Sequence, residues 1–168
     1  VYFNLSDKQD LSTHELKIYS DYHLELDSEL IPTGQKINVD GTNYDFRKTT
    51  DLLPRIEANN GFDDAFVVGG ETCDHVKEVA ILHDKESGDG IEIFSNRNGL
   101  VIYTMDIIED NIYFARDQGT IAKGREAIAM EAQTLPDAVN HTDFGDIILE
   151  EGHSVSYEIG FQYFNSSK

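Results

Sequence analysis

The stretch Ser154-Val155-Ser156-Tyr157-Glu158-Ile159-Gly160-Phe161-Gln162-Tyr163 decides the fold class. Val155, Tyr157, Ile159, Phe161 and Tyr163 fall on one side of an extended chain, and Ser154, Ser156, Glu158, Gly160 and Gln162 fall on the other. A helix would scatter those aromatics around its axis, so period two assigns a strand. The same alternation recurs upstream. Glu15-Leu16-Lys17-Ile18-Tyr19-Ser20 puts Leu16 and Ile18 on one face, and residues 76–83 mix Val79 and Ile81 with Lys77 and Glu78. Two further runs, Ile91-Glu92-Ile93-Phe94 and Leu100-Val101-Ile102-Tyr103, bracket Ser95-Asn96-Arg97-Asn98-Gly99, a loop with good turn chemistry. A short helix fits residues 51–60, with Leu52, Leu53 and Ile56 on one side, and residues 136–145 read as loop. Glycine and Asn/Asp pairs such as Asp40-Gly41 and Asp89-Gly90 mark turns at short intervals. Nothing repeats at a solenoid period and no linker interrupts the chain. The expectation is an all-β, antiparallel β-sandwich with no internal domain boundary.

Composition narrows the partners. The chain has 168 residues, with 13 Lys+Arg against 32 Asp+Glu, a formal charge of −19. No nucleic-acid partner is expected for such a chain, because phosphate binding needs clustered cations, and an anionic membrane surface repels it for the same reason. No apolar run approaches the roughly 20 residues of a membrane-spanning helix, and no signal segment opens the chain. The single cysteine, Cys73, excludes an internal disulfide and fits a reducing cytosol, so a cytoplasmic location is expected. The opening Val1-Tyr2-Phe3-Asn4-Leu5 places apolar residues at once and reads as a cut through a folded element.

Two segments carry candidate chemistry. In Ala127-Ile128-Ala129-Met130-Glu131-Ala132-Gln133, a strand puts Glu131 and Gln133 on one face with only alanines beside them. That open polar floor can hold a polyhydroxylated ligand, with Glu131 as general base; it is also what an ordinary solvent-facing strand presents. In Gly61-Phe62-Asp63-Asp64-Ala65-Phe66, one Asp can accept hydrogen bonds from sugar hydroxyls while Phe62 or Phe66 supplies an apolar platform. An Asx-turn capping the loop explains the same residues. The six histidines show no metal-ligand spacing, and there is no nucleophile elbow, phosphate loop or calcium loop, so no metal site is expected.

Taken in order, these segments resemble the C-terminal half of the aldose 1-epimerases, also called galactose mutarotases. Val1-Tyr2-Phe3-Asn4-Leu5 is similar to the family's His-x-Tyr-Phe-Asn-Leu strand. His14-Glu15-Leu16, Leu30-Ile31-Pro32-Thr33-Gly34 and Asp45-Phe46-Arg47 follow as they do in the family. Gly61-Phe62-Asp63-Asp64-Ala65-Phe66 resembles its Gly-x-Asp-His-x-Phe loop, and Glu131-Ala132-Gln133 with Leu135-Pro136-Asp137-Ala138-Val139-Asn140-His141 its Glu-x-Gln…Pro-Asp signature. The resemblance implies cofactor-free interconversion of the α and β anomers of a free hexose such as galactose or glucose. It implies that Glu131 is the base taking the anomeric proton, that Asp63 binds sugar hydroxyls, and that Tyr103 is an aromatic at the site.

The departures are equally specific. The family's acid His precedes the residue matching Val1, and its Asn-Arg and Leu-His-Gly-Gly motifs lie further upstream. Asp64 stands where the family has His, and Val101 where some members carry a sugar-binding Gln. Residues 1–168 are therefore expected to be the C-terminal part of one sandwich domain, weak or inactive alone, with open sheet edges that favour a homodimer or looser association. A non-catalytic carbohydrate-binding module and an acidic interaction domain are the alternative readings.

Overall fold

The computed structural model describes residues 1–70, 75–106, 112–115 and 118–167. Cys73 lies outside the described residues. Two antiparallel sheets face each other. The first contains β1 (Tyr2–Phe3), β12 (Ile128–Gln133), β9 (Gly99–Tyr103), β6 (Asp63–Val67), β3 (Tyr22–Leu26) and β4 (Pro32–Asn38), in that spatial order. The second runs β13 (Ile159–Asn165), β8 (Asp89–Ser95), β7 (Lys77–Asp84), β2 (His14–Ile18) and β5 (Thr50–Asp51). A small separate pair joins β10 (Tyr113–Phe114) to β11 (Thr120–Ile121). The all-β, antiparallel architecture is as expected.

The core lies between the sheets because each strand turns one apolar face inward. Phe66, Leu100, Ile102, Ile128 and Met130 come from the first sheet, and Leu16, Ile18, Leu82 and Ile93 from the second, all fully or almost fully buried. Each contributes about 1.5–3 kcal/mol of transfer free energy. Phe46 and Phe62 meet edge-on at 5.6 Å between ring centres. The helix α1 (Leu52–Asn59) adds Leu52 and Ile56 to the core, which leaves Leu53 only partly covered.

How α1 ends determines where β6 begins. Asn60 takes a left-handed conformation (φ 58°), and the Asn60 and Gly61 N–H groups return to the carbonyls of Glu57 and Ile56. Gly61 has φ 104°, and a Cβ there would collide with the Asp106 carboxylate. Only glycine satisfies both demands. The chain then enters β6 directly, with Asp63 as the first strand residue.

Several expectations are corrected. The terminal strand is residues 159–165, later than the alternation suggested; residues 155–158 stay outside the ladder, although Asn96 and Glu158 exchange hydrogen bonds. The core-side face of β13 reaches beyond the cover of the opposite sheet. Phe161 meets Phe3 at 5.8 Å, yet Ile159, Phe161 and Tyr163 remain 44%, 48% and 65% exposed. A bulge after Glu78 shifts the phase of β7, so Ala80 and Leu82 point inward and Ile81 does not. Residues 96–98 form the expected loop between β8 and β9. They carry the chain from one sheet to the other, stapled by buried Asn98, which donates to the Phe144 carbonyl and accepts from the Leu135 N–H. Asp89-Gly90 opens β8 instead of forming the turn, and Gly90 leaves room for the Phe164 ring across the ladder.

Candidate functional site

Register brings the three sequence-predicted residues together. Across the first sheet Asp63 pairs with Tyr103, and Tyr103 pairs with Ala129. Two residues along the same strands, Ala65 pairs with Val101 and Val101 with Glu131. Directly paired residues point to the same face, so Asp63, Tyr103 and Glu131 share the face turned away from the core. From β6 to β12 is two strand spacings, about 10 Å, a span that a six-membered sugar ring and two side chains can bridge. Tyr2 of β1 extends the row, its ring meeting Tyr103 edge-on at 6.4 Å.

The floor between these groups is small and apolar. Ala65, Ala129 and Val101 lie between the two carboxylates. The expected aromatic platform is not there: Phe62 and Phe66 are each 1% exposed and pack into the core. Alternation in β6 forces this, since any strand that turns Asp63 and Ala65 outward turns Phe62, Asp64 and Phe66 inward. Tyr103 and Tyr2 supply the aromatic surface instead. Asp64, expected beside Asp63 on a turn, is a strand residue on the opposite face.

Beside Asp63 the sheet opens. β3 meets β6 only at the pair His23–Phe66, while its ladder with β4 continues past a register shift between Leu24 and Leu26. A cavity of about 510 Å³ fills the gap, bounded by Leu26, Leu30, Tyr44, Asn59, Asp63 and Tyr103, with Asp106 at its edge. The Asp106 carboxylate is pinned by the Thr104 hydroxyl and the Arg125 guanidinium, and Arg125 also donates to Asn60 at 3.0 Å.

Burial raises the carboxyl of Asp63 above its ordinary value, and the negative charges of Glu131 and Asp106 raise it further. Behind it, burial pushes Asp64 up to about 6, although the Asp63 N–H and the Tyr44 hydroxyl favour its charged form. The Tyr44 hydroxyl is raised by burial and by Asp64, and its ring stacks on His23 at 3.9 Å. Tyr44, His23 and Asp106 were not singled out in the sequence. Tyr44 and Asp106 come from loops that only tertiary packing brings to the cavity. Among the described residues, no group of three or more His, Cys, Asp or Glu side chains could hold a metal ion. His141, at the end of a turn, binds the Pro32 carbonyl at 3.2 Å. No helix among the described residues is long and apolar enough to cross a membrane.

Residues 1–162 match the family model for aldose 1-epimerases. The chain belongs to the aldose 1-epimerase family. It is 90% identical over 168 residues to an aldose 1-epimerase of Streptococcus thermophilus, covering all of this chain and 48% of that protein. It is 38% identical over 169 residues to a maltose epimerase of Levilactobacillus brevis, covering 97% of this chain and 47% of the relative. A solved aldose epimerase homologue from C. elegans shares the fold, with a TM-score of 0.84 at 23% identity over 98% of this chain and 49% of the other. The chain spans about half the length of the curated relatives it matches.

Proposed function

We propose that residues 1–168 are the C-terminal part of an aldose 1-epimerase, and that the row Glu131–Tyr103–Asp63 is the part of its active site that this chain supplies. What carries the reading is the register: the three residues matching the family's site share one sheet face on three neighbouring strands.

Glu131 stands at the β12 end, exposed and flanked by Ala129 and Val101. Its carboxylate takes the proton from that hydroxyl while an acid outside residues 1–168 protonates the ring oxygen. The bond between ring oxygen and anomeric carbon breaks, and its electron pair goes to the oxygen. The free aldehyde rotates, and closure from the other face returns both protons. No cofactor is needed, because nothing is oxidised or reduced. Asp63 accepts hydrogen bonds from hydroxyls elsewhere on the ring, and Tyr103 offers its face to the ring's C–H groups. A positioned acid contributes roughly 10²–10⁴ in rate, so the isolated chain is expected to bind sugar better than it turns it over.

The substrates are free hexoses such as galactose or glucose. Maltose, in the name of the L. brevis relative, carries the same hemiacetal on its reducing ring. The facing carboxylates Asp63, Asp106 and Glu131 disfavour a phosphorylated sugar. A single cysteine supports a reducing, cytoplasmic setting. Titration of the ¹⁵N-labelled chain with galactose tests the site: amide shifts at Asp63, Tyr103 and Glu131 are expected, and their absence at saturating sugar would remove the reading.

A further inference from the structure

β1 is only two residues long, yet it carries Tyr2 into the row of site residues. Tyr2 pairs with Ala129, two residues before Glu131 on the same face of β12, and its ring meets that of Tyr103. Two register pairs hold an edge strand weakly. The chain on either side of β1 is therefore pinned. In front, the Met130 N–H donates to the Val1 carbonyl at 3.1 Å. Behind, the Asn4 side-chain amide donates to the Glu126 carbonyl at 2.7 Å, and the Leu5 N–H donates to Nε2 of His14 at 2.9 Å.

The last of these contacts is unusual, because a side chain of the other sheet makes it. His14 opens β2, and its ring is fully buried on the face of that strand that carries Leu16 and Ile18 into the core. The bond to Leu5 thus ties the second sheet to the edge of the first. A backbone N–H can only donate. Nε2 must therefore offer its lone pair, so the ring is neutral and carries its proton on Nδ1.

The surroundings keep it that way. His14 pairs with Asp84 across β2 and β7, both side chains are fully buried, and neither His14 Nδ1 nor Asp84 Oδ1 has a hydrogen-bond partner. The charged groups acting on the ring are Asp84 and His83 on β7 and Asp10 in the loop before β2; Asn4-Leu5-Ser6, on the other side, carries no charge. Burial lowers the ring's pKa from its ordinary 6.5, Asp84 and Asp10 oppose that, and His83 adds to it. The unfolded chain takes this proton more readily than the folded one. The group's contribution to stability is therefore present above pH 6.5 and is lost as pH falls through that value toward the folded pKa. A proton on Nε2 would set one donor against another at Leu5.

We propose that His14 is a positioning residue of the sugar site: its neutral imidazole fastens the segment behind β1 through the Leu5 amide, and protonation of the ring releases β1 and withdraws Tyr2 from the row. This rests on the reading of that face as the sugar site, and the experiment separates the two.

The ¹⁵N-labelled 168-residue chain is compared with His14→Gln, which can place a non-titrating acceptor near the position of Nε2, and with His14→Phe, which fills the space with no acceptor. At pH 7.5 the side-chain ¹⁵N shifts of wild-type His14 are expected to report a proton on Nδ1 and a bare Nε2. His14→Phe should exchange the Leu5 amide about tenfold faster and bind galactose about threefold more weakly, the worth of one lost hydrogen bond, while His14→Gln restores both. The pH arm stands without His14→Phe. On acidification the wild type should lose Leu5 protection and galactose affinity earlier than His14→Gln; Asp63 titrates in both, so the difference belongs to His14.

A proton on Nε2 at pH 7.5, or acid losses that His14→Gln shares in full, overturns the proposal. Galactose affinity that does not follow Leu5 protection overturns it too and leaves the sugar-site reading intact. No galactose binding by the wild type at pH 7.5 overturns that reading, and the role of His14 with it.

Discussion

The backbone N–H of Asp63 donates to Oδ2 of Asp64 at 3.2 Å, so the Asp64 carboxylate is tied back to the strand whose other face carries the Asp63 side chain. The Asp63 carboxylate faces the proposed substrate, and that of Asp64 is half-buried beside Tyr44.

The first prediction concerns Asp64. Its folded pKa of about 6 stands above the ordinary value of 3.8, so the native state holds a proton that the unfolded chain releases. This group's contribution to stability is present below pH 4 and is lost as pH rises through 6, a loss on the order of 2–3 kcal/mol at neutral pH. Asp64→Asn keeps an oxygen to accept from Asp63 and Tyr44 but has no charge to bury. Urea unfolding at pH 7.5 should show the variant more stable than wild type by about 1–2 kcal/mol, and the difference should vanish near pH 4. A pH-independent difference would contradict the assignment.

Val101 offers a gain-of-contact test. It pairs with Ala65 on one side and Glu131 on the other, between the two carboxylates. Val101→Gln places an amide within reach of a bound ring, and galactose affinity should rise about three- to tenfold, the worth of one net hydrogen bond. Calorimetry reads this directly. Unchanged affinity would mean that this part of the face does not touch sugar.

Gly61 is predicted to be irreplaceable for a double reason. At φ 104° an alanine is strained, and its Cβ would displace the Asp106 carboxylate from Thr104 and Arg125. Gly61→Ala should cost about 2 kcal/mol and lower Tm by about 4–8 °C. Because Asp106 bounds the cavity, galactose binding should weaken as well. A thermal unfolding curve that superimposes on the wild type would refute this account of the helix end.

Local alternation made much of the sandwich legible. Residues 128–133 read correctly because Ile128 and Met130 differ sharply from Glu131 and Gln133, and the same contrast fixed Leu16 and Ile18. The pattern in β6 also contained the burial of Phe62 and Phe66, since both share a parity with Asp64 and oppose Asp63; their chemical appeal as sugar platforms obscured it. What local sequence does not encode is pairing at a distance. The bulge after Glu78, the parting of β3 from β6 and the crossing of residues 95–99 between sheets all depend on partners far along the chain. Tyr44 and Asp106 reach the cavity from loops, where no periodicity announces them. The roles of Glu131, Asp63 and Tyr103 came from resemblance to the family, and the register then gave them a common face.

The most direct test of the central claim is polarimetry of freshly dissolved α-D-galactose, using the longer polypeptide in which residues 1–168 are continued to the length of their relatives. The account predicts accelerated decay of optical rotation that Glu131→Gln reduces at least about a hundredfold, the lower range for a lost general base, while galactose affinity changes little. An unaccelerated decay, or a Glu131→Gln variant as fast as the wild type, would contradict it.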